Sequence, residues 1–136
     1  MVRRGAPMDR GELGRWGERL AGFYLRAKGY RVLRRGWRAG RLGEIDLIAE
    51  RRGVLVFVEV KTRSSRRFGT PEESLTPAKC RRLVRLVDAF LAALPDRSPL
   101  RGMSPRIDVV AVERRQPFGW RVRHLVGAVE ASGRGD

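Results

Sequence analysis

Two apolar runs separated by a tight polar turn constrain this chain more than any other feature. They are LGEIDLIAE, residues 42–50, and VLVFVEVK, residues 54–61, joined by Arg51, Arg52 and Gly53. Each run is long enough for a strand and too short for a buried helix, and the turn residues favour a hairpin. The second run is apolar at nearly every position, so it reads as a strand covered on both faces. It nevertheless carries Glu59 and Lys61 near its end, two residues apart and therefore on one face.

The hairpin raises the question of which acids meet. With Arg51-Arg52 as a two-residue loop, Asp46 faces Phe57, Glu44 faces Glu59, and Asp46 becomes a diagonal neighbour of Glu59. A three-residue loop without a bulge would put the two carboxylates on opposite faces. Carboxylates grouped on an apolar sheet lose solvation and repel one another, so a cation must compensate. Oxygen donors of this kind suit Mg²⁺ or Mn²⁺. The competing structural explanation is an ion pair at the sheet's end, Glu59 with Lys61 or with an arginine.

The rest of the chain supplies layers for this hairpin. Leu13, Trp16, Leu20, Phe23, Tyr24 and Ala27 recur at helical spacing, ending at Gly29. That stripe is expected to face the sheet, which would turn Glu18 away from it. Residues 30–37 alternate as a first strand. Thr76-Pro77 starts a second helix, with an N-cap and a proline at the first helical position. Cys80, Leu83, Val84, Val87, Phe90, Leu91 and Leu94 form its apolar stripe, and Pro95 ends it. Residues 106–113 and 120–125 read as two more strands. The expected architecture is an α/β sheet with one helix on each face, preceded by a basic arm over residues 1–10 and followed by a tail over residues 132–136.

Charge narrows the partners. The 136 residues carry 30 Lys+Arg against 15 Asp+Glu, a net charge of +15. Such a field favours a polyanion, nucleic acid before an anionic membrane surface. Only Lys28, Lys61 and Lys79 are lysines. The arginines suit bidentate phosphate contacts; GC-rich coding would also enrich arginine, but it does not set the sign of the charge. Arg63, Arg66 and Arg67 follow Lys61 and leave the sheet beside the acids, where a backbone phosphate would lie. Lys79, Arg81 and Arg82 open the second helix. A single cysteine excludes an internal disulfide and spells no zinc cluster. No signal-like or membrane-length apolar run is present, so a cytoplasmic protein without membrane contact is expected.

GRWGERLAGFYLRAKGY, GEIDLIAERRGVLVFVEVKTR and FGTPEESLTPAKCRRL, in this order, resemble the YraN/UPF0102 family. That family is similar to archaeal Holliday-junction resolvases and to the PD-(D/E)xK nuclease-like superfamily. The resemblance implies a restriction-endonuclease-like αβββαβ core, a mixed sheet flanked by helices. It implies that Asp46, Glu59 and the Val60 carbonyl hold Mg²⁺ or Mn²⁺, that Lys61 positions a water or stabilises developing charge, and that Glu18 is the additional acid of the resolvase-like branch. The implied reaction is hydrolysis of DNA phosphodiester bonds, including branched DNA. Junction resolvases are usually dimers, so a homodimer is also implied. A non-catalytic nucleic-acid binder on the same fold is the alternative, and a basic adaptor for a protein partner the next. Asp108 reads as a structural partner for an arginine, and His124, without companion ligands, as a surface or packing residue.

Overall fold

The computed structural model describes residues 8–65, 69–115 and 117–130. Helix α1 spans Arg10–Ala27, followed by β1 (Arg31–Arg38), β2 (Glu44–Arg51) and β3 (Val54–Arg63). Helix α2 (Pro77–Ala93) then precedes β4 (Ser104–Arg114) and β5 (Trp120–Val129). The five strands lie in sequence order, β1-β2-β3-β4-β5. Every neighbouring pair is antiparallel except β3 and β4, which are parallel. A parallel pair needs a crossover, and the segment bearing α2 provides it. The mixed sheet with a helix on each face is the α/β architecture that the sequence implies.

The core is split by the sheet into two layers. On one face Ala21 and Leu25 of α1 pack with Leu47, Ala49, Val56, Val58, Val110 and Val112. On the other, Leu83, Leu86, Val87 and Phe90 of α2 pack with Ile48, Leu55, Phe57 and Ile107. Strand β3 is covered on both sides, which accounts for its unbroken apolar run.

Two expectations need correction. The β2–β3 turn is Arg52-Gly53, not Arg51-Arg52. Both residues have positive φ, 51° and 80°, as the hairpin turn that matches strand twist requires. The register is therefore Arg51↔Val54 to Leu47↔Val58, two residues away from the expected one. A shift of two preserves the faces, so the same-face inference survives.

The second correction concerns α1. Its buried residues are Gly17, Ala21, Gly22 and Leu25, while Trp16 is 37% and Phe23 63% exposed. Small residues face the sheet because the backbone itself approaches it. A Cβ on Gly17 would lie 1.8 Å from Thr62 Oγ1 and 2.9 Å from Thr62 Cβ. The helix also starts earlier than expected, at Arg10, because Asp9 caps it by accepting from the Glu12 amide at 2.8 Å. Residues 1–7 and 131–136, which contain most of the expected arm and the tail, lie outside the described residues.

Gly17→Ala should destabilise the protein by about 1–3 kcal/mol, the usual cost of overpacking. Thr62→Ala should relieve part of that loss, since it removes the nearest atom. Thermal unfolding of the two single variants and the double variant checks this; additive effects would contradict the close approach.

Candidate active site

The β2–β3 ladder ends at Leu47↔Val58, and the strands part just beyond it. Ile45 packs with Ile48 on the α2 side, although strict alternation would separate them. Between these residues Asp46 turns to β3, where its Oδ2 accepts a hydrogen bond from the Val60 amide at 2.8 Å. Continuation of the register would set Asp46 opposite Glu59. An open cavity of about 630 Å³ lies at this end of the sheet. Glu18, Asp46, Glu59, Val60, Thr62 and Arg63 all line it. The sequence-derived acids thus share one cavity, and Glu18 joins them because α1 seats its Gly17 on Thr62.

The charges in this cavity are unevenly compensated. Lys61 Nζ lies 2.8 Å from Glu59 Oε2, with 14% and 11% of the two side chains exposed. That is the ion pair of the structural explanation, and it accounts for Glu59. It does not account for Asp46, whose carboxyl is pushed up to about 8, first by burial and then by Glu59, against the opposing Val60 hydrogen bond. Glu18 is also raised, by burial, then by Glu44 and Glu59, with Arg35 opposing. Among the described residues, Lys61 and Arg35 offset only part of the cost of holding these two acids. Among the described residues no three His, Cys, Asp or Glu side chains form a ready-made metal cluster. The donor set is instead two carboxylates with a backbone carbonyl beside them, which fits a hard divalent cation completed by water or phosphate oxygens.

Basic side chains approach from the α2 side. The Lys79 ammonium is pushed below the ordinary lysine value, first by Lys61, then by burial and by Arg82. Lys61, Lys79 and Arg82 are therefore near enough to repel one another, with Glu59 partly offsetting that repulsion at Lys79. Arg63 lines the cavity and donates from Nη1 to the Thr62 carbonyl at 3.1 Å. Arg81 lies elsewhere, lining a separate groove with Cys80, Val84 and Arg85. Arg66 and Arg67 lie outside the described residues.

Sequence reasoning missed the contacts that hold the segment after the site. Arg123 of β5 donates to both carboxylate oxygens of Glu72, through Nη2 at 2.7 Å, and to Glu113 at 2.9 Å. Glu72 belongs to the PEES turn, in which Glu73 accepts from the Thr70 amide at 2.8 Å. Glu113 pairs with Arg63 across β3 and β4, so this ion network sits at the site's end of the sheet. The T-x-x-E spacing was the available signal for that turn.

His124 is a packing residue, one of the two expected readings, set edge-on against Tyr24 and Tyr30, and it also has a partner that the sequence did not reveal. Its Nε2 donates to Asp108 Oδ2 at 2.7 Å. Asp108 is fully buried and receives two further bonds from Arg106, at 2.8 and 2.9 Å, and one from the Gly127 amide. Burial pushes the Asp108 carboxyl up, but His124, Arg106 and Gly127 outweigh it and hold it below the usual carboxylate value. The expected arginine partnership of Asp108 is therefore present.

Residues 17–112 match the model of the uncharacterised protein family UPF0102. The chain belongs to this family. A UPF0102 protein of Symbiobacterium thermophilum is 54% identical over 119 residues, 88% of this chain and 97% of that relative. One from Roseiflexus castenholzii is 48% identical over 126 residues, 89% and 95% of the two chains. One from Beutenbergia cavernae is 47% identical over 115 residues, 85% and 93% of the two chains. The UPF0102 match covers Glu18, both strands of the hairpin and all of α2. Among the described residues, no helix is long and apolar enough to cross a membrane.

The raised Asp46 carboxyl has a consequence for stability. Its unfolded value is near 3.8 and its folded value about 8. The native state thus holds a proton that the unfolded chain has lost, and stability falls as pH rises between these values. Without divalent cations, Asp46→Asn should raise stability at pH 8 by on the order of 1–3 kcal/mol, the cost of a poorly compensated buried polar group. The gain should shrink towards pH 4. Denaturant unfolding at both pH values measures it.

Proposed function

We propose that this UPF0102 protein is a metal-dependent endonuclease that hydrolyses phosphodiester bonds of DNA. The observation that carries this is the convergence of Glu18, Asp46 and Glu59 on one open cavity, with the Asp46 carboxyl raised by burial and by Glu59. Asp46, Glu59 and the Val60 carbonyl would hold Mg²⁺ or Mn²⁺. When bound, such an ion neutralises the scissile phosphate and makes a bound water a better nucleophile at neutral pH.

The chain's own residues supply the rest. The Val60 amide fixes one oxygen of Asp46, which holds the carboxyl at the cavity. Lys61, paired with Glu59, would orient a water or stabilise charge developing on the phosphate. Glu18, whose carboxyl is raised, is available to accept a proton or to hold a water on the α1 side. Arg63, Lys79 and Arg82 form the flank that receives phosphates adjacent to the cleaved one. Such contacts position a strand without reading its bases.

A second reading, a nucleic-acid binder without catalysis, is favoured by one observation. The Glu59–Lys61 pair already satisfies two of the charged groups. The two readings diverge under assay. Purified protein should cut linear, single-stranded or four-way-junction DNA only with Mg²⁺ or Mn²⁺. Asp46→Asn and Lys61→Ala should each lower the rate at least about a hundredfold, the scale of losing one electrostatic stabiliser. Binding should weaken steeply with salt. Salt-sensitive binding without metal-dependent cleavage of any substrate would establish the binder instead.

A further inference from the structure

The outer face of α1 carries aromatic side chains that the core does not use. Trp16, Leu20 and Phe23 follow one another at helical spacing, and with Arg19 and Arg35 they line a shallow cavity. Phe23 is 63% exposed and Trp16 37%. Exposed aromatics are costly in water, and the small residues on the opposite side of the helix show that α1 does not need them for packing. Trp16 also lies 6.4 Å, ring to ring, from Trp120, and the Arg114 guanidinium lies 5.8 Å from the Trp120 ring. The aromatic strip is therefore bordered by guanidinium groups along its length.

The position of Arg35 links this face to the active site. Its guanidinium lies against the sheet-facing side of α1, 3.4 Å from where a Cβ on Gly22 would sit, and it also lines the aromatic groove. It also opposes the rise of the Glu18 carboxyl, and Glu18 lines the cavity with Asp46 and Glu59. The groove and the proposed phosphodiester site thus share helix α1, which gives Trp16, Leu20 and Phe23 to one and Glu18 to the other. A protein partner would find arginines but no acid among the groove's lining residues. A nucleic acid would find both complements it needs, π-faces for unstacked bases and guanidinium groups for the backbone.

We propose that the Trp16–Leu20–Phe23 face of α1 is a stacking platform for unpaired nucleotides, so that the substrate is DNA with a single-stranded segment next to the cleaved bond. The inference rests on the nuclease reading for the identity of its ligand. Inside a duplex the base faces are covered by their neighbours, whereas an unpaired base offers a free face to a surface ring. The platform would thus select substrates with frayed, tailed or branched ends, and hold the unpaired strand while the flanking duplex lies at the acids.

The test uses the full chain carrying Asp46→Asn, so that binding is measured without cleavage. Fluorescence anisotropy would compare a blunt duplex, the same duplex with a single-stranded tail, and single-stranded DNA. Trp16→Ala and Phe23→Ala should each weaken binding of tailed and single-stranded DNA about tenfold, the scale of one lost base–aromatic stack. Blunt-duplex affinity should not change, and Trp16→Phe should restore most of the loss. Unchanged affinity of both alanine variants for tailed DNA would overturn the platform while leaving the nuclease reading standing. So would a loss of self-association on Trp16→Ala, seen by sedimentation with DNA affinity intact, because the face would then belong to a second copy. No binding to any DNA would overturn both proposals.

Discussion

The hydrogen bond from the Val60 amide to Asp46 is the contact on which the candidate site depends. At 2.8 Å, it lies just beyond the last paired residues of the β2–β3 hairpin. A ladder that continued would pair these strands to their ends and leave the acids on a closed sheet. By taking the amide, Asp46 ties the strands together beyond their last paired residues. Its carboxylate is fixed over a gap rather than over an apolar surface. The same geometry raises its electrostatic cost, because burial and Glu59 act on it together. A group held at such cost is a mark of function more often than of stability.

Helix α1 contributes by what it lacks. Gly17 allows the helix to rest directly on Thr62, and this brings Glu18, one residue further, to the cavity. A helix with an ordinary leucine stripe would stand farther from the sheet and carry Glu18 away. The small face towards the sheet also frees Trp16 and Phe23 to face outward. One packing choice thus explains both an acid at the site and an aromatic surface beside it. On the other side of the sheet, α2 brings Lys79 close enough to Lys61 for the two ammonium groups to repel.

Much of this was legible in the residues themselves. The apolar run of β3 announced a strand buried on both faces, and the Thr76-Pro77 pair marked the start of α2. The grouping of Asp46 with Glu59 needed only the parity of the hairpin, which withstood an error of two residues in its register. What escaped was set by backbone approach and by distant pairing. The period of Trp16, Leu20 and Phe23 looks the same whether it faces a core or a ligand, and only the contact of Gly17 with Thr62 tells which side is packed. Arg123 with Glu72 and Glu113, and His124 with Asp108, join residues far apart in the chain. Their pairing follows from strand order, which local patterns do not contain.

The central claim is that Asp46 and Glu59 together form a site for a divalent cation. Electron paramagnetic resonance of Mn²⁺ titrated into the purified protein measures it directly, since the signal of free Mn²⁺ falls as the ion binds. The wild-type chain should remove Mn²⁺ from solution at one saturable site, and Asp46→Asn and Glu59→Gln should each abolish that binding while remaining folded by circular dichroism. Binding that persists unchanged in both variants, or no binding in the wild type with DNA present, would contradict it.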